Sequence, residues 1–420
     1  MVSGDGVRRL RIAFFEYPDV FEDFYPHYGV DQRAFATRWT GTSGHALVSL
    51  LQREVGDVTW YETTRAPEIE GGRHDVTGCR VRFLPSSLVH RLLWRAFYLP
   101  RHAWRWRSAY RPFATVASYV APLSVPLWRA LRHDRPDCLF VQSYSSGRFD
   151  VLLLAARLLG IPLIACHVGG EPEGYLGATV RRWTLRGADR IIASSGREAE
   201  QLARRYRVPS ARIRVILTPI DTTAFCPLDR AAACRAAGLD PRRRYVLFVG
   251  RFDDGVKRIS SIIEAFAAAS ANHPDAALLI AGGGKDDGRL RSLARAIAPG
   301  RVRFMGWVDD TRRKTELYNC AECLVLASRR EGFPTVVGEA MACGTPVVSS
   351  NVGGVSELVE HDRTGWLFEP GDDEALRDIL AMVLADPQRV RSMRVHARQA
   401  AEDRVSPERV AGALRECFDV

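Results

Sequence analysis

The sequence predicts an α/β protein built from two domains with parallel sheets. Three observations carry that prediction. The chain has 420 residues, and at roughly 100–200 residues per domain this makes two or three domains. Short apolar runs of strand length alternate with helical patterns along the whole chain, as in sheets built from strand–helix–strand units. The alternation breaks once, at about residues 218–241, where a polar stretch rich in Ala and Arg carries Pro227 and Pro241. The expected division is 1–222 and 223–420, with the last helix, near 405–418, able to pack on either.

In the first domain the strand-like runs are Ile12–Phe15, Val58–Tyr61, Cys138–Gln142, Leu163–His167, Arg190–Ser194 and Arg214–Leu217. In the second they are Tyr245–Gly250, Ala277–Ala281, Val302–Phe304, Glu322–Ala327 and Pro346–Ser349. Helical patterns lie between them at Ala46–Glu54, Val151–Leu159, Arg197–Arg207, Ile259–Ala271 and Glu374–Ala385, and a last one near Pro407–Cys417.

Composition excludes several classes. Apolar residues are 46% and charged residues 26%, the balance of a globular protein and not of a disordered or collagenous one. Nine cysteines, an odd and sparse number, do not make a disulfide scaffold. No secretory apolar region follows the start, so a reducing, cytoplasmic compartment is expected. The lone pair Cys320 and Cys323 has no second pair and no nearby His to make a metal site. The net charge of +10 is unevenly spread: residues 1–220 carry +11 and residues 221–420 carry −1. Such asymmetry points to an anionic partner.

Two segments of the second half carry chemistry. In the first, the strand ending at Val249 runs into Gly250, and Arg251 and Lys257 follow, six apart, at the start of a helix. Open α/β sheets bind ligands at the carboxyl ends of their strands. Two cations beside a helix N-terminus there suit a diphosphate. In the second, the strand Glu322–Ala327 ends in a turn, where Glu331, Gly332 and Pro334 precede a helix that contains Glu339. One carboxylate then faces a ligand at the helix mouth and the other lies about a turn deeper. The unpaired N–H groups of the first helical turn donate to anions, and carboxylates are strong acceptors for sugar hydroxyls.

These residues carry a resemblance. The segment from Tyr245 to Asp378 resembles the donor-binding domain of retaining glycosyltransferases of the GT-B fold, specifically glycosyltransferase family 4. The matching pieces are Gly250-Arg251 with Lys257, the Glu-x7-Glu element from Glu331 to Glu339, the run from Ala340 to Val348, Gly353-Gly354 with Glu357-Leu358-Val359, and Thr364 to Phe368. The first half resembles the family only loosely. The resemblance implies two facing Rossmann-like domains with the active site in the cleft between them. It implies that Arg251 and Lys257 hold the donor diphosphate, that Glu339 binds the ribose, and that Glu331 lies beside the transferred sugar. The stretch Gly332, Phe333, Pro334, Thr335, Val336 and Val337 would line the sugar and phosphates, and Trp307 and Val308 would line the base. His167, followed by Gly169, Gly170 and Glu171, resembles the family's strand-end His that faces the donor sugar. The family's glycine-rich loop after the first strand has a poor counterpart here. A long aromatic segment, Tyr17 to Trp39, intervenes, and Gly41 and Gly44 are the candidates.

Breaking a glycosyl–phosphate bond builds negative charge on the leaving diphosphate, which fixed cations and N–H dipoles stabilise by several kcal/mol. No cofactor and no metal are expected. The expected activity is transfer of a hexosyl unit from a UDP or GDP sugar, with retention, to a lipid-linked acceptor in envelope or exopolysaccharide assembly. The alternatives are a soluble enzyme acting on a small acceptor and a non-catalytic nucleotide-sugar binder.

Residues 80–135 hold eleven Arg, one acid and ten interleaved aromatic residues. Arg with Trp and Tyr is an interfacial composition, and each basic residue near an anionic leaflet contributes about 1 kcal/mol. Arg91, Trp94, Arg95, Arg101, Trp104, Arg105, Trp106 and Arg107 are the candidate contacts with an anionic membrane surface, which places the protein peripherally on the cytoplasmic face. A solvated helix face with its aromatics in the core and a surface for an anionic soluble acceptor are the other readings. A nucleic-acid partner is not expected.

Overall fold

Largely apolar runs three to nine residues long become strands, and those in the middle of each sheet are buried on both faces, as parallel sheets require. A computed structural model describes residues 9–39, 43–66, 71–98, 115–166 and 177–418. Seven of its strands form one sheet: β1 (Leu10–Phe15), β2 (Gly56–Thr64), β3 (Arg80–Pro85), β4 (Cys138–Gln142), β5 (Leu163–Cys166), β6 (Arg190–Ala193) and β7 (Ile213–Val215). Their spatial order is β3-β2-β1-β4-β5-β6-β7. Six more form a second sheet: β8 (Arg244–Val249), β9 (Ala276–Ala281), β10 (Val302–Gly306), β11 (Ala321–Leu326), β12 (Val347–Ser350) and β13 (Gly365–Phe368), in the order β10-β9-β8-β11-β12-β13. All pairings between these strands are parallel. The two sheets are those of two Rossmann-like domains.

The chain divides into two compact units, Met1–Ile216 with Ala411–Val420, and Leu217–Val410. The last helix, Pro407–Phe418, returns the chain to the first unit. Its Ala411, Leu414 and Cys417 are buried. Phe418 stacks on Phe140 of β4, and Arg415 pairs with Glu54.

Each sheet has one place where strand order reverses, and such a switch point opens a crevice at the strands' carboxyl ends. In the first unit it lies between β1 and β4, and in the second between β8 and β11.

Two strands were not among the expected runs. β3 reads Arg-Val-Arg-Phe-Leu-Pro, with Val81 and Phe83 buried and Arg80 exposed. Its alternation is masked by the arginines of the basic stretch. β13 is four residues long and was visible only as part of a motif. Both are edge strands, and short or charged strands are typical of edges because they discourage further pairing.

The aromatic segment after β1 builds a small core of its own. Phe21, Tyr25 and Phe35 are buried and pack with Trp39, Phe83 and Trp60, at ring-centroid separations of 4.6 to 5.5 Å for Tyr25–Phe35, Phe21–Tyr25, Tyr25–Trp39, Phe35–Trp60 and Phe21–Phe83. Aromatic pairs at such separations add about 0.5–1.5 kcal/mol each beyond their burial.

Candidate functional site

The second unit concentrates its predicted residues at the β8/β11 switch point. After β8, Gly250 donates its N–H to Ala281 at 3.0 Å, and Phe252 donates to Gly283 at 2.8 Å. The chain then makes the short turn Asp254–Lys257. Arg251 is exposed and forms no ion pair among the described residues. Lys257 is turned inward and pairs with Glu331 Oε1. Ser328, at the end of β11, donates its hydroxyl to the same oxygen at 2.6 Å. Glu331 Oε2 accepts no hydrogen bond from the described residues. The structure thus brings together two predicted residues, Lys257 and Glu331, with Ser328, from the segments that follow the two strands flanking the reversal.

Neighbouring backbone fixes this arrangement. Arg329 donates its N–H to the Val256 carbonyl at 2.8 Å, tying the Glu331 loop to the Lys257 turn. The loop after β12 presses on it from the other side. Gly354 donates to the Gly332 carbonyl at 2.6 Å, and Ser350 Oγ donates to the Ser328 carbonyl at 2.7 Å. Gly353 has φ +55, and a Cβ there would collide with the carbonyls of Glu331 and Gly332. This close approach is the physical reason for the Gly353-Gly354 pair in the motif.

Pro334 precedes the helix Thr335–Ala342, and no side chain caps the helix start. Val337 donates its N–H to the Pro334 carbonyl at 3.0 Å, which leaves the N–H groups of Thr335 and Val336 for an anion. Phe333, Pro334 and Val337 are buried, whereas Gly332, Thr335 and Val336 are partly exposed. One turn further along this helix, Glu339 is nearly buried. Lys314 Nζ lies 2.9 Å from its Oε1, and the Tyr318 hydroxyl donates to Oε2 at 2.7 Å. Burial and the Glu339 charge push the Tyr318 phenol well above its ordinary range, so it stays a donor.

Trp307 and Val308 follow β10, with Trp307 exposed and Val308 packed partly against the core. From β10 to β11 is three strand spacings, about 14 Å. Gly282 lies between these strands. Its N–H donates to Gly306 at 2.7 Å, and a Cβ on it would collide with the Gly250 carbonyl. Sequence reasoning passed over Gly282 to Gly284, although three consecutive glycines after a buried strand are a legible signal of close backbone approach. It also passed over Lys314, Tyr318 and Ser328, which no local pattern distinguishes.

In the first unit, Gly44 lies in the first turn of helix Ser43–Glu54. The carboxylate of Glu16 sits directly against it, such that a Cβ on Gly44 would collide with Glu16 Oε1. Tyr25 donates its hydroxyl to Glu16 Oε2 at 3.0 Å. This helix mouth therefore meets a carboxylate of the chain itself. Beside it Arg148 is fully buried. It donates to the Pro18 carbonyl at 2.7 Å and to the Glu16 carbonyl, which ties the start of helix Gly147–Leu159 to the segment after β1. Glu62, also fully buried, accepts from Trp60 Nε1 at 2.8 Å, and desolvation pushes its carboxyl well above the usual range. Gly41 and His167, with Gly169, Gly170 and Glu171, lie outside the described residues.

Helix Leu88–Tyr98 begins the basic aromatic segment. Trp94 is half-buried with the Arg65 guanidinium 4.5 Å above its ring, and Arg91 is half-buried as well. The exposed face is instead Leu88, Val89, Leu92 and Arg95, with Leu88 69% and Leu92 64% exposed. These four positions fall on one side at helical spacing. Arg101, Trp104, Arg105, Trp106 and Arg107 lie outside the described residues. Among the described residues no helix is long and apolar enough to cross a membrane.

Comparisons with known proteins match both halves. Residues 229–404 match the family Glycosyl transferases group 1, and residues 41–224 match Glycosyltransferase Family 4. A D-inositol 3-phosphate glycosyltransferase of Rhodococcus jostii is 32% identical over 307 residues, covering 68% of this chain and 67% of the relative. A relative of the same name from Rhodococcus opacus is 30% identical, with 60% of its length matched. One from Mycolicibacterium gilvum is 29% identical, over 77% of this chain and 80% of the relative. Among solved structures, Anabaena HepE in complex with UDP aligns with TM-score 0.71 at 17% identity, over 97% of this chain and 99% of that one. Sucrose-phosphate synthase from Thermosynechococcus elongatus aligns with TM-score 0.69 at 22% identity, over 98% of both chains. With both halves matched and about a third of the aligned residues shared with a named relative, the chain belongs to the family 4, group 1 glycosyltransferases and has the GT-B fold.

Proposed function

We propose that this protein transfers a hexosyl unit from a nucleotide-diphosphate sugar, UDP- or GDP-linked, to a hydroxyl acceptor with retention of configuration. The observation that carries this reading is the Lys257–Glu331–Ser328 cluster at the β8/β11 switch point, beside Arg251 and an uncapped helix start. Lys257 has three donors. One goes to Glu331, and two remain for phosphate oxygens. Together with Arg251 and the first N–H groups of helix Thr335–Ala342, they stabilise the charge that builds on the departing diphosphate. Glu331 Oε2 accepts a sugar hydroxyl and orients the anomeric carbon. Glu339 takes the ribose, and Trp307 and Val308 flank the base. No metal is required for a leaving group held by this many cations and dipoles. Retention rests on family membership.

The test is turnover. Purified protein offered UDP- and GDP-hexoses should release nucleotide with one of them. Glu331→Ala should abolish release while nucleotide affinity, measured by calorimetry, changes less than about threefold. Failure of the wild type to release nucleotide from any of these donors, with every acceptor tried, would overturn the reading.

For the acceptor, the relatives' names support a small phosphorylated polyol. A lipid-linked acceptor at an anionic membrane, as in envelope or exopolysaccharide assembly, is a second reading. It is supported by the exposed Leu88, Val89 and Leu92 beside Arg95, within a segment of charge +10. A basic apolar face of this kind suits a membrane interface. Co-sedimentation with anionic vesicles at high salt, lost in Leu88→Ser/Leu92→Ser, supports this second reading. No sedimentation with zwitterionic or anionic vesicles at any salt removes it.

A further inference from the structure

The groups that meet Glu339 come from the helix that precedes β11. Lys314 and Tyr318 stand four residues apart on Thr311–Cys320 and so share a face. Each takes a different carboxylate oxygen, Lys314 at Oε1 and Tyr318 at Oε2. Phe225 packs across both: the Lys314 ammonium lies 5.1 Å from its ring centroid, and the Tyr318 ring meets it edge-on at 6.1 Å. Phe225 is itself anchored. Arg398 donates to the carbonyls of Thr222 at 3.0 Å, Phe225 at 2.9 Å and Ala342 at 2.6 Å, and Thr315 Oγ1 donates to Ala224 at 3.1 Å. Glu339 is thus gripped at both oxygens by side chains that cannot readily turn away.

A carboxylate has about four acceptor positions, two on each oxygen. One on each is used, which leaves one acceptor position on each of the two neighbouring oxygens. Two adjacent acceptors of this kind match two vicinal hydroxyls, the 2′- and 3′-hydroxyls of a ribose. A freely rotating carboxylate would offer the same acceptors but would lose rotamer freedom on binding.

We propose that Lys314 and Tyr318 are positioning residues that aim Glu339 at the ribose diol, so that the donor site selects ribonucleotides over 2′-deoxyribonucleotides. The inference rests on the proposed ribose role of Glu339. The experiment measures the affinity of the full chain for UDP, 2′-deoxy-UDP, GDP and 2′-deoxy-GDP by calorimetry. The same is done for Glu339→Gln, Lys314→Met, Lys314→Arg and Tyr318→Phe, with melting temperatures recorded without nucleotide.

The wild type should favour the ribose form of its preferred nucleotide by about tenfold or more, the worth of one hydrogen bond to a charged group. Lys314→Met and Tyr318→Phe should bring that ratio to within about threefold of unity, and Lys314→Arg should keep it. A merely structural role would lower the melting temperature and weaken both forms equally, leaving the ratio intact, and that result overturns the inference. If Glu339→Gln abolishes the ratio while Lys314→Met and Tyr318→Phe retain it, the ribose role stands and only the positioning role falls. If Glu339→Gln retains the ratio, the ribose role itself fails. Should Lys314→Met not fold, Tyr318→Phe removes a single hydroxyl and carries the test.

Discussion

Lysine is scarce in this chain, and each of its three copies meets a carboxylate: Lys257 with Glu331, Lys285 with Asp253 and Lys314 with Glu339. Two of those carboxylates are the pair singled out from the sequence. A lysine ammonium is a compact charge on a flexible stem, unlike the planar arginine fork, and can serve a carboxylate and a ligand together. Lys257→Met should leave the fold intact but reduce kcat/KM for the donor by about 10²–10³-fold, the usual cost of removing one preorganised donor from developing charge. A steady-state assay beside a thermal melt checks this, and a near-normal rate would remove Lys257 from the diphosphate. In the first unit, Glu62 makes a pH prediction. Its unfolded carboxyl titrates near 4.5, and its folded carboxyl well above that, because burial disfavours the charge. Between those values the folded state keeps a proton that the unfolded state has released, so stability falls as pH rises through the window. Glu62→Gln removes this dependence. The wild type should lose stability relative to the variant as pH climbs above about 4.5, and parallel curves of melting temperature against pH would refute it.

At the scale of elements, the donor site is a junction of loops whose backbones touch. The loop after β12 lies on the loop after β11 with no room for a side chain at Gly353. Gly353→Ala should therefore push back the backbone of Glu331 and Gly332, and with it the start of helix Thr335–Ala342 that receives the phosphates, and weaken nucleotide binding by about tenfold or more, with at most about 1–3 kcal/mol of lost stability. Calorimetry with the nucleotide and denaturant unfolding test both parts. Helix Thr335–Ala342 is similarly tight, because a Cβ at Gly338 would stand 2.7 Å from Ile220 Cγ1. Most strands and helices were legible in the sequence. Fully buried strands read as apolar runs, and Cys138–Gln142 matches its expected bounds at both ends. The edge strands β3 and β13 were not, because arginines interrupt the apolar residues of β3 and β13 is only four residues long. The aromatic segment after β1 was legible only as a departure. Its residues pack on one another and on Trp60 and Phe83, which no periodicity announces.

At the scale of the whole molecule, the last ten residues belong to the first unit, although the preceding 194 form the second. Leu414 is fully buried in that return. Leu414→Ala should cost the first unit about 2–5 kcal/mol, the range for a large buried side chain cut to a methyl. Denaturant unfolding should show the loss, while stabilisation of the second unit by added nucleotide persists. Loss of the nucleotide effect instead would contradict the assignment of the last helix to the first unit.

The sequence by itself determined the two parallel α/β domains, the family and the donor motif. These are local properties: apolar runs set the strands, and Glu331 and Glu339 lie eight residues apart in one loop and helix. Only the tertiary structure decided what those carboxylates meet. Lys257 reaches Glu331 across 74 residues of chain, Lys314 reaches Glu339 across 25, and Arg148 spans 130 to the Pro18 carbonyl. It also decided that Glu16 occupies the mouth of helix Ser43–Glu54 and that Trp94 turns inward while Leu88 and Leu92 face out. Such contacts depend on which strands become neighbours at the switch points. Strand order is set by how the crossover helices cover both faces of each sheet, and no window of sequence contains it.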